Sequence, residues 1–486
     1  MRNIRSKVVQ SISWSLAGNW AIRGIGVLKM ILLARILSPH DFGVIGAALL
    51  AINCLGVFSE VGIGAALIQK KNVDRKDLDT AWTMTIARGI LLFGLLFATA
   101  GPLADYFSQP DLETVFRVIA VCFVLEGFTN IGILFFQRDI DFKHKAMLDV
   151  ISDLAGSISA VLLALILKDF WALVYSSVIW RLVYFGLSFR LHPYRPRLCW
   201  DRKRAAHLIH FGKHVFWISI VTFVVTNGDD ALVGRLLGLD LLGYYTMAYA
   251  IANLPVTSLC TTLGRISFPV YSQMQDDRER VREVFQKIFE SALMILLPLT
   301  ALIMMLAEDF IAVFLGDRWL PMASVLRVLC LLGLFRGLSN VIAPVHLAVN
   351  RPEIQSRNKT VELVVFALLI YPLTTRWGLI GAGWAVSAVY LVGLILNAEA
   401  LSRLLKDVPQ IIYTALRCPL AATTGMVLSA LLAGTVSNGL APLLRFFLSG
   451  FAAVAAFLLI AAWMNHGVIM DVYRRMVPKK CDDITA

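Results

Sequence analysis

Four arginines lie inside long apolar stretches of this sequence: Arg23, Arg88, Arg181 and Arg265. Inserting a cation at bilayer depth costs about 2.5 to 3.5 kcal/mol, so such residues usually face a polar cavity or a charged partner rather than lipid. Arg23 stands in the middle of its stretch, where a side chain reaches the membrane surface least easily. These four side chains are therefore candidates for a binding site in such a cavity. The alternative is a local ion pair between neighbouring helices.

Four acidic residues could act together with these arginines. Glu60 and Glu126 lie deep in apolar stretches, where each could balance a cavity arginine or carry a proton. Asp229 and Asp230 are adjacent in the segment "VTNGDDALVGRLL", five or six residues before Arg235. Each of the four is therefore a candidate for a gate or for ion coupling.

A second group of charges lies near the ends of apolar stretches. Asp149 and Asp153 follow Lys145, and Glu362 follows Lys359, at the spacing of one or two helical turns. This spacing favours ion pairs at the inner ends of helices over a role in transport.

The elements that carry these residues must be membrane helices. Of the 486 residues 58% are hydrophobic and only 16% are charged, and the mean hydropathy is +0.72. Crossing roughly 30 Å of hydrocarbon takes about 20 helical residues. Stretches of this kind predict an all-α integral membrane protein with fourteen spans, at approximately 12–33, 42–66, 81–100, 115–136, 147–167, 171–189, 215–234, 243–270, 288–306, 322–347, 360–375, 378–400, 411–434 and 446–466.

The distribution of basic residues predicts the orientation of these spans. If the amino terminus is cytoplasmic, the cytoplasmic segments contain two thirds of the 45 Lys and Arg residues, as expected from the positive-inside rule. The outer loops then contain only Arg35, Lys168, Arg235, Arg318 and Arg376. We therefore expect both termini to be cytoplasmic. The net charge of +12 is explained by these loops lying against anionic lipids, without nucleic acid as a partner.

An internal repeat suggests how the spans are grouped. Segment 32–53 aligns without gaps to segment 232–253, with identical Arg, Gly and Asn residues among the matches. Parallel repeats of this kind place a substrate site between two lobes and permit alternating access. The predicted organisation is an N-lobe, a basic cytoplasmic linker with an interfacial helix, a C-lobe, and two further helices with a basic tail, at 1–190, 191–214, 215–400 and 401–486.

The same offset of 200 residues places Lys29 opposite Asp229. Opposite charges at equivalent positions of the two lobes could form a bridge near the outer face, and such a bridge would close the cavity outward. The alternative is that one aspartate pairs within its own lobe while the other faces water. The repeat therefore predicts a gate formed by Lys29 with Asp229 or Asp230.

Five segments together resemble the polysaccharide flippases of the multidrug/oligosaccharidyl-lipid/polysaccharide exporter superfamily, and most of all the colanic-acid and succinoglycan exporter type. The segments are "LLARILSPHDFGVIG" (32–46), "FSEVGIGAALIQKK" (58–71), "FQRDIDFKHKAML" (136–148), "GDDALVGRLLGLDLLGYY" (228–245) and "GLIGAGWAVSA" (378–388). Together they sample nearly the whole chain.

This resemblance implies a function and a substrate. Two six-helix lobes would surround a central cavity and move an undecaprenyl-diphosphate-linked oligosaccharide from the cytoplasmic to the outer leaflet of the bacterial inner membrane. Related flippases use arginines of the first and eighth helices, which Arg23 and Arg265 match by position. The polymerase and the chain-length regulator of the same pathway would be candidate partners.

Two other functions are compatible with parts of the sequence. A cation-coupled multidrug antiporter of the same superfamily would have twelve helices and a cavity rich in acids, and a membrane polymerase or ligase for lipid-linked sugars would need a large outer loop. The sequence lacks a GxxxxGK[ST] phosphate loop. His207, His210 and His214 fit a basic interfacial helix better than a metal site. We therefore expect neither an enzyme nor a cofactor.

Overall fold

The structure is a computed structural model that describes residues 2–59, 64, 67, 73–139, 141–256, 267, 270–274, 277–349, 351–436 and 441–464. The side chains of 2–13, 15–16, 58–59, 137, 202–203, 205–218 and 352 are also outside this description. Within the described residues the chain is helical and contains no strand, as predicted for an all-α membrane protein.

Thirteen long helices account for most of the described chain. They are α1 (Arg2–Ile36), α2 (Pro39–Ser59), α3 (Arg75–Phe107), α4 (Asp111–Phe128), α5 (Phe142–Leu167), α6 (Trp171–Leu191), α7 (Arg202–Leu237), α8 (Leu239–Pro255), α9 (Arg278–Met305), α10 (Ala323–Ala348), α11 (Pro352–Leu404), α12 (Val408–Val436) and α13 (Pro442–Met464). Short helical segments occupy Leu134–Arg138 and Ala307–Phe310.

Ten helical segments of the described residues are long and apolar enough to cross a membrane. The predicted count of fourteen is larger partly because α4 is not among these ten, since its 18 residues include the charged residues Asp111, Glu113, Arg117 and Glu126. In addition, α11 counts as one segment of this kind although two spans were predicted there. The membrane class is clear, whereas the number fourteen stays a prediction.

Helix α11 is a hairpin of two arms. Gly378 has φ +58° and ψ −137°, which interrupts the helix between the two predicted spans. Gly381 packs against the carbonyl of Leu373 so tightly that a Cβ there would lie 2.0 Å from the oxygen. Farther from the turn, Asn358 bonds Asn397 at 3.0 Å across the two arms. The predicted separation at this position is therefore present as a sharp turn.

The chain divides into two compact units. The first comprises Met1–Met247, Phe314–Met322 and Leu363–Ala385, and the second comprises Ala248–Val313, Ala323–Glu362 and Val386–Ala486. The first unit thus includes α7, which lies beyond the predicted N-lobe. The grouping into two lobes of six spans stays a prediction.

Small residues allow helices of the first unit to pack closely. A Cβ at Gly89 of α3 would lie 2.5 Å from the carbonyl of Phe123 in α4, and a Cβ at Gly127 would lie 2.8 Å from the carbonyl of Thr85. Glycine at such contacts lets two membrane helices approach backbone to backbone. The close α3–α4 pair holds Arg88 and Glu126 at a short separation.

The second unit has an apolar core formed by α9, α10, α11 and α12. Phe285 and Phe289 of α9 are almost fully buried and their rings stack at 5.3 Å. Leu401 of α11 and Ile411 of α12 belong to the same buried cluster. This core supports the second unit but contains none of the predicted site residues.

The predicted basic linker has two parts in the structure. Its first part, from His192 to Asp201, is extended and bound to α3, where Asp79 accepts hydrogen bonds from the Tyr194 hydroxyl and from the Arg197 backbone at 2.9 Å. Burial and the neighbouring Asp79 raise the pKa of Tyr194, so the phenol stays protonated as a donor. The second part belongs to α7, because one uninterrupted helix runs from Arg202 to Leu237. The interfacial position of its first turns stays a prediction.

Candidate functional site

A cavity of about 590 Å³ lies in the first unit, lined by residues of α2, α3, α4, α6 and α7. Three of the predicted site residues line it together: Arg88 of α3, Glu126 of α4 and Arg181 of α6. Its other polar side chains are uncharged and come from α2 and α7, namely Asn53, Ser219, Thr222, Thr226 and Asn227.

Glu126 bridges the two arginines of this cavity. Its Oε1 lies 3.3 Å from Nη2 of Arg88, and its Oε2 lies 3.2 Å from Nη2 of Arg181. The arginine side chains are 23% and 21% exposed, so their charges are partly withdrawn from solvent. We call these three residues the arginine bridge.

The arginine bridge has the composition of an anion site. Two guanidinium groups and one carboxylate leave an excess of one positive charge. Guanidinium groups bind phosphate oxygens in a two-pronged geometry that a lysine does not offer. A phosphate or diphosphate that took the place of the Glu126 carboxylate would meet both cations at once.

A second cavity of about 290 Å³ shares Ile52, Asn53 and Arg181 with the first. Its charged residues are Lys29 of α1 and Asp153 of α5, and Trp180 of α6 forms part of its wall. The two charges interact electrostatically but are not among the ion pairs of the described residues. We call this space the smaller cavity.

The predicted ion pairs at helix ends are confirmed for two of the three acids. Lys145 lies 2.6 Å from Asp149, and Lys359 lies 2.6 Å from Glu362. Asp153 differs, because its position one turn farther along α5 places it in the smaller cavity.

Asp229 is almost fully buried and accepts a hydrogen bond of 2.6 Å from the Tyr245 hydroxyl. Asp230, the next residue, is partly buried. Lys29 lines the smaller cavity, and its bridge with Asp229 or Asp230 stays a prediction.

The remaining predicted site residues have different positions. Arg23 is a partly buried residue of α1, about two turns before Lys29, and lies outside both cavities as the described residues define them. Glu60 and Arg265 lie outside the described residues, as do the side chains of the three histidines predicted to belong to an interfacial helix. No group of three or more His, Cys, Asp or Glu in the described chain could hold a metal ion.

The two repeat segments meet each other at the start of α2 and α8. A Cβ at Gly43 would lie 1.9 Å from the carbonyl oxygen of Leu239, and a Cβ at Gly243 would lie 1.8 Å from that of Pro39. Gly43 therefore packs against Leu239, four residues before Gly243, and Gly243 packs against Pro39, four residues before Gly43. Because Gly43 and Gly243 are repeat equivalents, the contact has approximate two-fold symmetry. We call it the glycine seam.

Equivalent arginines flank the glycine seam. Arg35 donates from Nε to the carbonyl of Phe314 at 3.0 Å. Arg235 donates from Nη1 to the carbonyl of Tyr106 at 2.7 Å and to the Ser108 hydroxyl at 2.9 Å. Each arginine thus reaches the segment that follows the third predicted helix of the other repeat.

Further polar contacts complete this end of the first unit. Arg318 donates to the carbonyls of Arg35 and Leu37 at 2.8 and 3.1 Å, which satisfies acceptors at the end of α1. His40 and Asp240, which are also repeat equivalents, lie 3.4 Å apart. The repeat alignment pairs Gly43 with Gly243 and His40 with Asp240, but it does not show which side chains face each other.

Sequence reasoning missed Trp180, whose ring lies beneath the Arg181 guanidinium at 4.8 Å. It also missed the cavity position of Asp153. Gly156 was the signal in the sequence for close packing of α5 against α6. A Cβ at Gly156 would lie 2.8 Å from the Cβ of Trp180.

Comparison with known proteins gives a consistent family and fold. The polysaccharide biosynthesis protein family matches residues 32–324. The chain is 26% identical to the lipopolysaccharide biosynthesis protein WzxC of Escherichia coli over 81% of each chain. It is also 26% identical to the succinoglycan biosynthesis transport protein ExoT of Rhizobium meliloti, over 68% of this chain and 66% of that protein. Among solved structures, lipid II flippase MurJ in an inward closed conformation superposes with a TM-score of 0.77 at 14% identity, covering 94% of this chain and 100% of that chain.

Proposed function

Because the chain belongs to the polysaccharide biosynthesis protein family and has the fold of a lipid flippase, we propose that it moves an undecaprenyl-diphosphate-linked oligosaccharide across the bacterial inner membrane. The direction is from the cytoplasmic to the outer leaflet, for exopolysaccharide, capsule or lipopolysaccharide synthesis. Its termini are cytoplasmic in this proposal. The protein transports and does not catalyse a covalent step.

The arginine bridge is the observation that carries this proposal. A lipid diphosphate brings two or more negative charges into the membrane and needs paired cations there. Arg88 and Arg181 supply them, since the two ions converge on a single carboxylate that spans the gap between them. Glu126 acts as the internal counter-ion that keeps the pair assembled when no substrate is bound.

The substrate then exchanges with Glu126. As the diphosphate enters, its oxygens take over the guanidinium hydrogen bonds, and the glutamate turns toward the uncharged part of the cavity. When the product leaves, the Glu126 carboxylate returns to the two arginines and so weakens their binding of the diphosphate. The site therefore never leaves two uncompensated cations in the membrane, which would be costly.

The glycine seam closes one side of this site in the proposed cycle. Backbone packing at Gly43 and Gly243 and the crossed contacts of Arg35 and Arg235 hold the predicted outer ends of the helices together. Opening toward the outer leaflet requires these contacts to break. Lys29, Asp229 and Asp230 are the proposed gate and coupling residues of this closure.

The charge of the cavity argues against a cation-coupled drug antiporter. A cationic drug would meet Arg88 and Arg181, while the carboxylate of Glu126 is already engaged by both. An anion would be attracted by the two arginines and repelled only by Glu126.

The test is a flipping assay on purified protein in proteoliposomes with a lipid-linked oligosaccharide as substrate. We expect Arg88→Gln or Arg181→Gln to lower the rate by at least about tenfold, because each removes a charge-assisted hydrogen bond. The matched control is Arg117→Gln, since Arg117 pairs with Glu113 on α4 outside the cavity. Normal rates for both cavity variants, at normal abundance, would remove the arginine bridge from the site.

A further inference from the structure

The smaller cavity contains charged atoms that the protein itself does not satisfy. Oδ2 of Asp153 is buried and has no hydrogen-bond partner among the described residues. Lys29, on the opposite helix α1, also lines the cavity, and no hydrogen bond or ion pair within bonding distance joins it to another described residue. Buried polar atoms normally have partners, so the Asp153 oxygen points to a ligand, and the partly buried Lys29 lines the same cavity.

The chemistry of the lining restricts what that ligand can be. An anion would be repelled by Asp153, and a cation would be repelled by Lys29. A neutral molecule with several hydroxyl groups satisfies both, because each hydroxyl is at once a donor and an acceptor. Ser177 donates its own proton to the Leu173 carbonyl at 2.8 Å and so offers only lone pairs to the cavity. The amide of Asn53 offers both a donor and an acceptor.

The size of the smaller cavity agrees with one sugar ring. Its volume of about 290 Å³ equals the space of roughly ten water molecules at ~30 Å³ each. One hexose with a few ordered waters fills such a space, whereas an oligosaccharide does not fit. Leu49 and Trp180 supply the apolar walls against which the C–H face of a sugar packs.

Its position relative to the arginine bridge completes the assignment. Arg181 and Asn53 line both cavities, so a diphosphate held by Arg181 lies at the entrance of the smaller one. The group attached directly to the diphosphate is the first sugar of the repeat unit. We propose that the smaller cavity binds this first sugar, with Asp153 and Lys29 as its main hydrogen-bonding partners. This inference rests on the proposed function.

The test compares two lipids on the full-length protein in nanodiscs: undecaprenyl diphosphate alone, and the same lipid carrying one hexose, either glucose or galactose. We expect the native protein to bind at least one hexose-bearing lipid about tenfold more tightly than the bare lipid. Asp153→Asn should abolish that difference and leave the Kd of the bare lipid within about twofold.

Two further variants separate this effect from a folding defect. Asp149→Asn is the matched control, because Asp149 lies one turn away on α5 and is paired with Lys145 outside the smaller cavity. Ser177→Leu fills the cavity with an apolar side chain and should give the same selective loss as Asp153→Asn, with an unchanged melting temperature.

The outcomes distinguish this inference from the function on which it rests. Equal Kd values of the native protein for the bare lipid and for both hexose-bearing lipids would overturn the sugar site. A Kd for the bare lipid that rises together with the other two in Asp153→Asn would also overturn it, since Asp153 would then act on the diphosphate. If Arg88→Gln leaves every Kd unchanged while Asp153→Asn remains selective, the diphosphate site fails and the sugar site stands.

Discussion

At the scale of single residues, Glu126 has the most informative position. A carboxylate between two arginines usually indicates a structural ion pair, and here each Glu126 oxygen faces one guanidinium. The same geometry makes Glu126 a competitor for any anion that approaches the pair. Affinity and turnover should therefore respond in opposite directions when its charge is removed.

We predict that Glu126→Gln binds undecaprenyl diphosphate about tenfold more tightly and flips it more slowly, because the returning carboxylate that releases the product is lost. Binding in nanodiscs and transport in proteoliposomes measure the two effects. Glu113→Gln on the same helix is the control, since its partner Arg117 lies outside the cavity. Weaker binding by Glu126→Gln would show that Glu126 holds the arginines in place rather than competing for them.

At the scale of elements, the sequence predicted most helices but few of their contacts. Hydropathy identified α5 and α6 as separate helices, and Lys168 indeed ends α5 in a left-handed conformation with φ 54°. The same method could not show that Arg88, Glu126 and Arg181 share one cavity. Their distances depend on how α3, α4 and α6 rotate about their axes, which composition does not encode. The Lys29–Asp229 bridge stays a prediction for the same reason: the repeat equates positions without stating which side chains face each other.

The glycine seam supports a prediction about α2 and α8. Gly43→Ala places a methyl group against the Leu239 carbonyl and should hold the seam open. A cysteine at Thr226, which lines the larger cavity, should then react faster with a membrane-impermeant thiol reagent added from the outer side. Gly56→Ala on the same helix is the control, because nothing lies within 4 Å of its added Cβ. Identical labelling rates for the two alanine variants would exclude the seam as the outer closure.

At the scale of the whole molecule, the predicted orientation rests on charge distribution. In spheroplasts of a strain with the other cysteines removed, Asp111→Cys at the start of α4 should react with an impermeant reagent from outside. Leu198→Cys should not react although its side chain is 72% exposed, because it lies in the predicted cytoplasmic linker. External labelling of Leu198→Cys but not of Asp111→Cys would invert the topology and the direction of transport with it.

Polar contacts attach helix α7 to α3 near both of its ends. Arg204 lies 2.6 Å from Asp77 at the start of α3, and Arg235 binds the carbonyl of Tyr106 at its end. Arg204 and Arg235 are 31 residues apart in α7, which corresponds to about 46 Å along the helix axis. The Arg204–Asp77 contact joins two charged and partly buried groups, whereas Arg235 binds neutral acceptors near the surface. We expect the contact at Arg235 to separate more easily than the one at Arg204, and a small rotation of α7 about Arg204 would then displace the Arg235 end by several ångströms.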